Sequence, residues 1–197
     1  MPNDKEELKK YISKHKDIII ENFLEQHPLM SALHKESVNT IRLVTFYDND
    51  EVSVLSKIIR MGTGGNYVDN AHSGGIFCGI NDDGSLKQYA YNTMGDRFEN
   101  HPTSNIRFNG YSIPNIEKCV KVVERLALRL SRTNRLLHWD LAIDKEGNPV
   151  FIEVNMAKGE LDFHQMTNGP LFGNKTKKVI EDVFHDKSKR FIQRFLS

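Results

Sequence analysis

The chain has 197 residues, 27 of them basic and 26 acidic, for a formal net charge of +1. That length suits one domain or one large lobe with a real core, and the near-neutral balance gives no global field for nucleic acid or an anionic membrane, so any anion site must be local. No apolar run approaches the roughly 20 residues of a bilayer span and the N-terminus lacks a signal-peptide core, which leads us to expect a cytoplasmic protein with no membrane insertion.

From the N-terminus, residues 4–16 are charged with Leu8, Tyr11 and Ile12 at helical spacing, a short surface helix. The β-branched run Ile18-Ile19-Ile20 continuing to Leu24 predicts a buried strand that ends before His27-Pro28, and residues 31–34 suit a helical turn. Alternation across Thr40 to Arg60, broken by Asp48-Asn49-Asp50-Glu51, predicts a hairpin with a tight Asx-rich reversal. Its register sets Tyr47 against Val52, Leu43 against Ser56 and Arg42 against Lys57. Two opposed cations are tolerable with an anion such as phosphate between them, or both side chains splay into water. The segment from Met61 to Gly75 is rich in glycine, which implies unusual backbone angles or close approach. Strands are expected over 76–80 and 85–91 around an Asp-Asp-Gly turn, then an ordered loop region over 92–112. Pro114 opens a helix whose Ile116, Val120, Val123, Ala127 and Leu130 make one apolar stripe, and residues 175–197 repeat that pattern. Cys78 and Cys119 share no metal-type spacing and read as buried thiols.

The segment from Leu137 to Asn155 carries the chemistry. Residues 138–144 and 149–155 flank Lys145-Glu146-Gly147-Asn148, a four-residue connection with a turn-forming glycine. If that loop closes the hairpin, Asp144 pairs with Pro149 and Asp140 with Glu153. Leu141, Ile143, Val150, Ile152 and Val154 then share an aliphatic face, and Asp140, Glu153 and Asn155 share the other. Carboxylates directly opposed on neighbouring strands have Cβ atoms about 5 Å apart and repel unless a cation sits between them. Hard oxygen ligands with an amide suit Mg²⁺, which keeps waters and takes its remaining ligands from substrate phosphates.

In series, Ser37-Val38-Asn39-Thr40-Ile41-Arg42-Leu43-Val44-Thr45, Arg60-Met61-Gly62, the stretch from Val68 to Gly75, His101-Pro102, Gly110-Tyr111-Ser112-Ile113-Pro114, His138-Trp139-Asp140 and Phe151-Ile152-Glu153-Val154-Asn155 resemble the ATP-grasp superfamily. The likeness is specifically to its sugar-transfer-associated family, found with polysaccharide biosynthesis, and covers roughly Ile18 to Leu171. The resemblance implies an α+β fold, the C-terminal lobe of an ATP-grasp enzyme, with a mostly antiparallel sheet covered by helices and the N-terminal lobe largely missing. On this reading residues 1–17 are a leading helix and residues 18–197 the nucleotide- and metal-binding lobe. The family's phosphate-holding lysines normally precede the hinge strand, and Lys9, Lys10, Lys14 and Lys16 do not stand in that setting, so the chain is expected to be a fragment or a reduced form.

The same resemblance implies that Glu21, Asn22, Phe23 and Leu24 surround adenine, with Glu25 or His27 near the ribose. It places Arg42, Arg60, Asn70 and His72 near the transferred phosphoryl group, with Gly74 and Gly75 also on the nucleotide, and Lys57, opposed to Arg42 in the counted register, is a further candidate for the nucleotide. Asp140, Glu153 and Asn155 match its metal ligands, in agreement with the hairpin count. Gln165 is a candidate for the acceptor site. The implied cofactors are ATP and Mg²⁺, with Mn²⁺ as a substitute. The implied partners are a small-molecule carboxylate and an amine or sugar-linked acceptor, and a partner lobe or a second copy of the chain. The expected reaction is ATP-dependent ligation of a carboxylate to an amine or thiol. A small-molecule kinase on the same fold and a catalytically reduced nucleotide-binding module stay open as alternatives.

Overall fold

The computed structural model describes residues 4–15, 22–130, 134–157 and 159–184. A seven-stranded, wholly antiparallel sheet runs in the order β5-β4-β3-β2-β1-β6-β7. Its strands are β1 (Thr40–Asp48), β2 (Glu51–Met61), β3 (Ile76–Ile80), β4 (Leu86–Tyr91), β5 (Arg97–Phe98), β6 (Leu136–Ile143) and β7 (Pro149–Asn155). The helices are α1 (Lys5–Lys14), α2 (Pro28–Leu33), α3 (Ile116–Leu130) and α4 (Leu161–Asn168). Mixed helices and antiparallel sheet are as the sequence predicts.

The two faces of the sheet differ in kind. One carries Ile41, Leu43, Ile59, Cys78, Leu137, Trp139 and Leu141 against Cys119, Val123 and Ala127 of α3 and Met30 and Leu33 of α2, the main core. The other carries Arg42, Arg60, His138 and Asp140 at one end and a smaller apolar cluster at the other, where Phe163 of α4 stacks on Phe77 with ring centroids 4.3 Å apart. The second face is therefore divided between packing and polar chemistry. Both cysteines are buried and free, and burial pushes each thiol up to about 12.

Two irregularities in the ladder change the expected registers. The β1–β2 turn is the two-residue Asn49-Asp50, both with positive φ, and Tyr47 faces Val52 as counted. A shift between Val44 and Thr45 then leaves Leu55 unpaired, so Leu43 faces Lys57 and Arg42 faces Ile58. The expected pairing of Arg42 with Lys57 is wrong: side chains alternate along a strand, and the extra residue sends Lys57 to the α3 side of the sheet. There its ammonium meets Asp82 at 2.5 Å. In the second hairpin Pro149 pairs with Ile143 rather than Asp144, and a shift between Asp140 and Leu141 leaves Ile152 unpaired. Asp140 nevertheless faces Glu153, because one-residue errors at the turn and at the bulge cancel. Val150 therefore lies opposite Ala142 and Phe151 opposite Leu141, so the predicted aliphatic face is only partly formed.

Other expectations also need correction. Residues 16–21, most of the predicted hinge strand and including Glu21, lie outside the described residues, and 22–25 have no regular structure. The third helix starts at Ile116, after Asn115 with φ 53°, not at Pro114. Helix α4 follows the β6–β7 hairpin and has no counterpart among the expected elements. Residues 176–184 are helical, and the rest of the predicted C-terminal helix lies outside the described residues.

Candidate active site

Asp140 is fully buried at the centre of the polar face. Arg42, directly across on β1, grips it bidentately, with Nε donating to Oδ1 and Nη2 to Oδ2, each at 2.7 Å. Fork-to-carboxylate geometry of this kind fixes both planes and is the strongest form of charged hydrogen bond. Arg60 approaches from β2, with Nη2 3.3 Å from Asp140 Oδ2. Burial alone would raise the Asp140 pKa, but the Arg42 bonds and the charges of Arg60 and Arg42 hold it below the usual carboxylate value. Burial also opposes the charge on Arg42, and there Asp140 and then Glu160 more than compensate, so its pKa is raised.

A second layer surrounds this ion pair. Asp69 accepts from the Thr40 amide at 3.1 Å and from the Thr40 hydroxyl, and its Oδ2 lies 3.7 Å from Arg60 Nε. Arg60 Nε also donates to Thr40 Oγ1 at 3.0 Å. Glu160, just before α4, accepts from Arg42 Nη1 at 2.7 Å and bonds His72 Nε2 at 2.9 Å. Glu153 sits exposed on β7 opposite Asp140, and Asn155 Nδ2 donates to its Oε1 at 3.0 Å.

Asp69, Asp140 and Glu160 contact the two guanidiniums and Glu153 lies across the strand from Asp140, so the four carboxylates exceed the guanidiniums by two negative charges that a cation would offset. A carboxylate offers about four lone-pair positions, so the Arg42 fork does not exhaust Asp140. Among the described residues no three His, Cys, Asp or Glu side chains form a ready-made cage. Mg²⁺ asks for less than a protein cage: one or two carboxylates, with waters and substrate phosphates completing its shell. Asp140, Glu153 and Asn155 could hold such an ion.

The loop from Asp69 to Gly75 shapes itself around His72. Asn70 Oδ1 accepts from the His72 amide at 3.0 Å, capping the 3₁₀ turn Ala71–Ser73, and Gly74 (φ 91°) closes it in the left-handed region. The amides of Ser73, Gly74 and Gly75 all bond back to Asn70 or Ala71, so in this conformation they are not turned outward as anion donors. Gly75 has no room for a side chain, since a Cβ there would lie 2.5 Å from the Asp69 carbonyl oxygen. His72 itself is two-thirds exposed.

Beside the ion pair lie two buried histidines. His138 and His164 stack edge to face with centroids 5.7 Å apart, and His164 Nδ1 bonds Ser56 Oγ at 2.7 Å. Burial pushes His138 down to about 4, with Arg42 adding to the effect, and His164 down to about 3, with His138 adding to it. Gly159 lies on the His138 ring, where a Cβ would fall 2.1 Å from Nε2.

The structure thus gathers Arg42, Arg60, His72, Asp140, Glu153 and Asn155, and leaves other candidates elsewhere. Phe23 and Leu24 line a separate cleft of about 450 Å³ with Glu25, Lys145 and Tyr67, and Phe23 is 87% exposed. His27 caps α2, its Nδ1 accepting from the Leu29 amide at 3.2 Å. Lys57 is across the sheet with Asp82, and Gln165 lies exposed on α4. Asp69, Thr40 and His138 stood inside motifs quoted from the sequence without being assigned a part. Glu160 carried no signal, because its partners are 118 and 88 residues away.

No described helix is long and apolar enough to cross a membrane. Comparison with curated proteins and with solved structures finds no match. A family model for the sugar-transfer associated ATP-grasp proteins matches residues 8–181, which takes in every strand of the sheet and the whole Arg42–Asp140 centre. The chain belongs to the sugar-transfer associated ATP-grasp family.

Proposed function

We propose that this chain is the nucleotide- and metal-binding lobe, residues 18–197, of an ATP- and Mg²⁺-dependent carboxylate–amine or carboxylate–thiol ligase acting in polysaccharide or cell-surface biosynthesis. The observation that carries the reading is the buried Arg42–Asp140 pair with Glu153 directly across the strand, at the positions where the family resemblance puts phosphoryl contacts and metal ligands.

In this reaction a carboxylate oxygen of the donor attacks the γ-phosphorus of ATP, ADP leaves, and an acyl phosphate forms. The amine or thiol then attacks the acyl carbon and inorganic phosphate leaves. A bound divalent ion neutralises phosphate charge. The chain's own residues position and stabilise: Asp140, Glu153 and Asn155 hold the ion, while Arg42 and Arg60 lend positive charge to the transferred group in a buried setting where it is weakly screened. Asn70 orients the His72 backbone beside them. Phe23 and Leu24, in the cleft with Tyr67, supply apolar surface for the base. No side-chain nucleophile is needed, as is general for phosphoryl transfer.

Calorimetric titration of ATP with and without Mg²⁺ tests the reading. Binding is expected to need Mg²⁺ and to weaken at least tenfold in Glu153→Gln, whose exposed side chain can change without loss of fold. Binding indifferent to Mg²⁺ and to this substitution would sink the metal assignment. Free phosphate released together with a joined product marks a ligase, whereas phosphate retained on the acceptor marks a kinase.

A further inference from the structure

The Glu160 carboxylate is placed as a ligand would be. One oxygen meets Arg42 Nη1 at 2.7 Å and the other meets His72 Nε2 at 2.9 Å, so one anion bridges two donors from separate parts of the chain. Asp140 occupies the Nε and Nη2 edge of Arg42, which leaves Nη1 as the arm turned to an incoming group. On the other side His72 stands largely in solvent, open to a molecule arriving from outside. Glu160 occupies the N-cap position of α4 yet makes no capping bond, so its local helix does not hold it there. Its side chain is 31% exposed, whereas Asp140 is buried.

We propose that Arg42 Nη1 and His72 Nε2 form a receptor for a phosphoryl oxyanion, and that Glu160 fills it as a built-in anion that the phosphoryl group must displace. The inference rests on the nucleotide-dependent reading above and deepens it. A phosphoryl group presents two oxygens to the same two donors as the carboxylate does, with more charge and more acceptor positions. It cannot share the receptor with Glu160, since like charges at contact distance in a partly desolvated site repel strongly. Glu160 thus keeps Arg42 charge-paired when no substrate is present and sets a threshold: a singly charged carboxylate gains little by replacing it, a phosphoryl group gains more. Gly159 aids the fit, because only a residue without a side chain lets the backbone lie on His138 and deliver Glu160 to Arg42.

The test is titration with inorganic phosphate, followed by ³¹P line broadening and calorimetry, on the wild-type chain and on Glu160→Gln, with acetate as a second probe. Glu160→Gln keeps the shape and removes the charge. Phosphate affinity is expected to rise about tenfold in Glu160→Gln, and His72→Ala in that background is expected to abolish the gain, with acetate changing much less. Equal or weaker phosphate binding in Glu160→Gln, at an unchanged unfolding midpoint, would make Glu160 a fixed brace and overturn the proposal. An acetate gain matching or exceeding that of phosphate would overturn the phosphoryl assignment. Mg²⁺-ATP binding measured in parallel separates the two readings. If it is intact with no phosphate gain, this inference alone fails, and if it is absent beside a clear phosphate gain, the nucleotide reading alone fails.

Discussion

Asp140 and Glu153 face one another across two strands but do different work, and substitution should separate them. Asp140 is the buried counter-ion of Arg42. Asp140→Asn leaves the buried Arg42 guanidinium with Glu160 as its remaining carboxylate partner, which costs up to about 3 kcal/mol, and a lowered urea midpoint is expected. Glu153 is exposed on β7, so Glu153→Gln should leave the midpoint unchanged while weakening metal binding. Equal destabilisation by both would contradict the division. The buried histidines give a pH signature. Unfolded, each takes up a proton near pH 6.5, whereas folded they do so only near 4 at His138 and near 3 at His164. Their folded pKa values are depressed, so the unfolded chain binds more protons below about 6.5 and stability falls with pH from there toward 4. The slope approaches about 1.4 kcal/mol per pH unit for each histidine. Asp140, held below the usual carboxylate value, loses its contribution only at lower pH, so the interval from 6.5 to 4 reports the buried histidines, among them His101, whose pKa burial also lowers. A flat urea midpoint across it would show that they are not buried neutral. At Gly159 even a methyl group would meet His138 at 2.1 Å, so Gly159→Ala should move Glu160 off Arg42, visible as a shifted Arg42 Nη1 resonance.

At the scale of elements, what the sequence revealed depended on whether a feature was local. Strand alternation, the Asx turn at Asn49-Asp50 and the apolar stripe of α3 are written in neighbouring residues, and all were legible. The bulges at Leu55 and Ile152 were not, because nothing in the periodicity distinguishes an extra residue from a regular one until the partner strand is in place. For that reason alternation alone puts Lys57 on the wrong side of the sheet. In the second hairpin the error at the turn and the bulge offset each other, so the Asp140–Glu153 pair was found by a count whose intermediate steps were wrong. Helix α4 leaves little trace in the sequence for a related reason: its weak amphipathic character comes from covering Phe77 with Phe163 while directing His164 into a polar pocket. The loop carrying His72 is an element that a single glycine maintains. Gly75→Ala forces backbone against backbone at Asp69, so it should pull Asp69 from Thr40 and Arg60 and lower the thermal midpoint, whereas Gly65→Ala, which meets nothing within 4 Å, should not.

Over the whole molecule, family membership was legible from seven short motifs in order, although each alone is weak, because five of them mark points that the fold brings to one centre. β1 delivers Arg42, β2 Arg60, β6 Asp140 and β7 Glu153 and Asn155 on a single face. What the motifs did not reveal is the set of long-range ties, from Glu160 to Arg42 and His72 and from His164 to Ser56, which exist only once the chain has folded. One face of the sheet is wholly given to the main core, and the other sets the charged centre beside a smaller apolar cluster. The most direct test of that centre is Mn²⁺ binding in the presence of ATP, read from the loss of the free-ion electron paramagnetic resonance signal. Wild-type protein is expected to take up Mn²⁺ with ATP, and Glu153→Gln to bind it at least tenfold more weakly at an unchanged unfolding midpoint. Identical uptake by the two proteins would contradict the site.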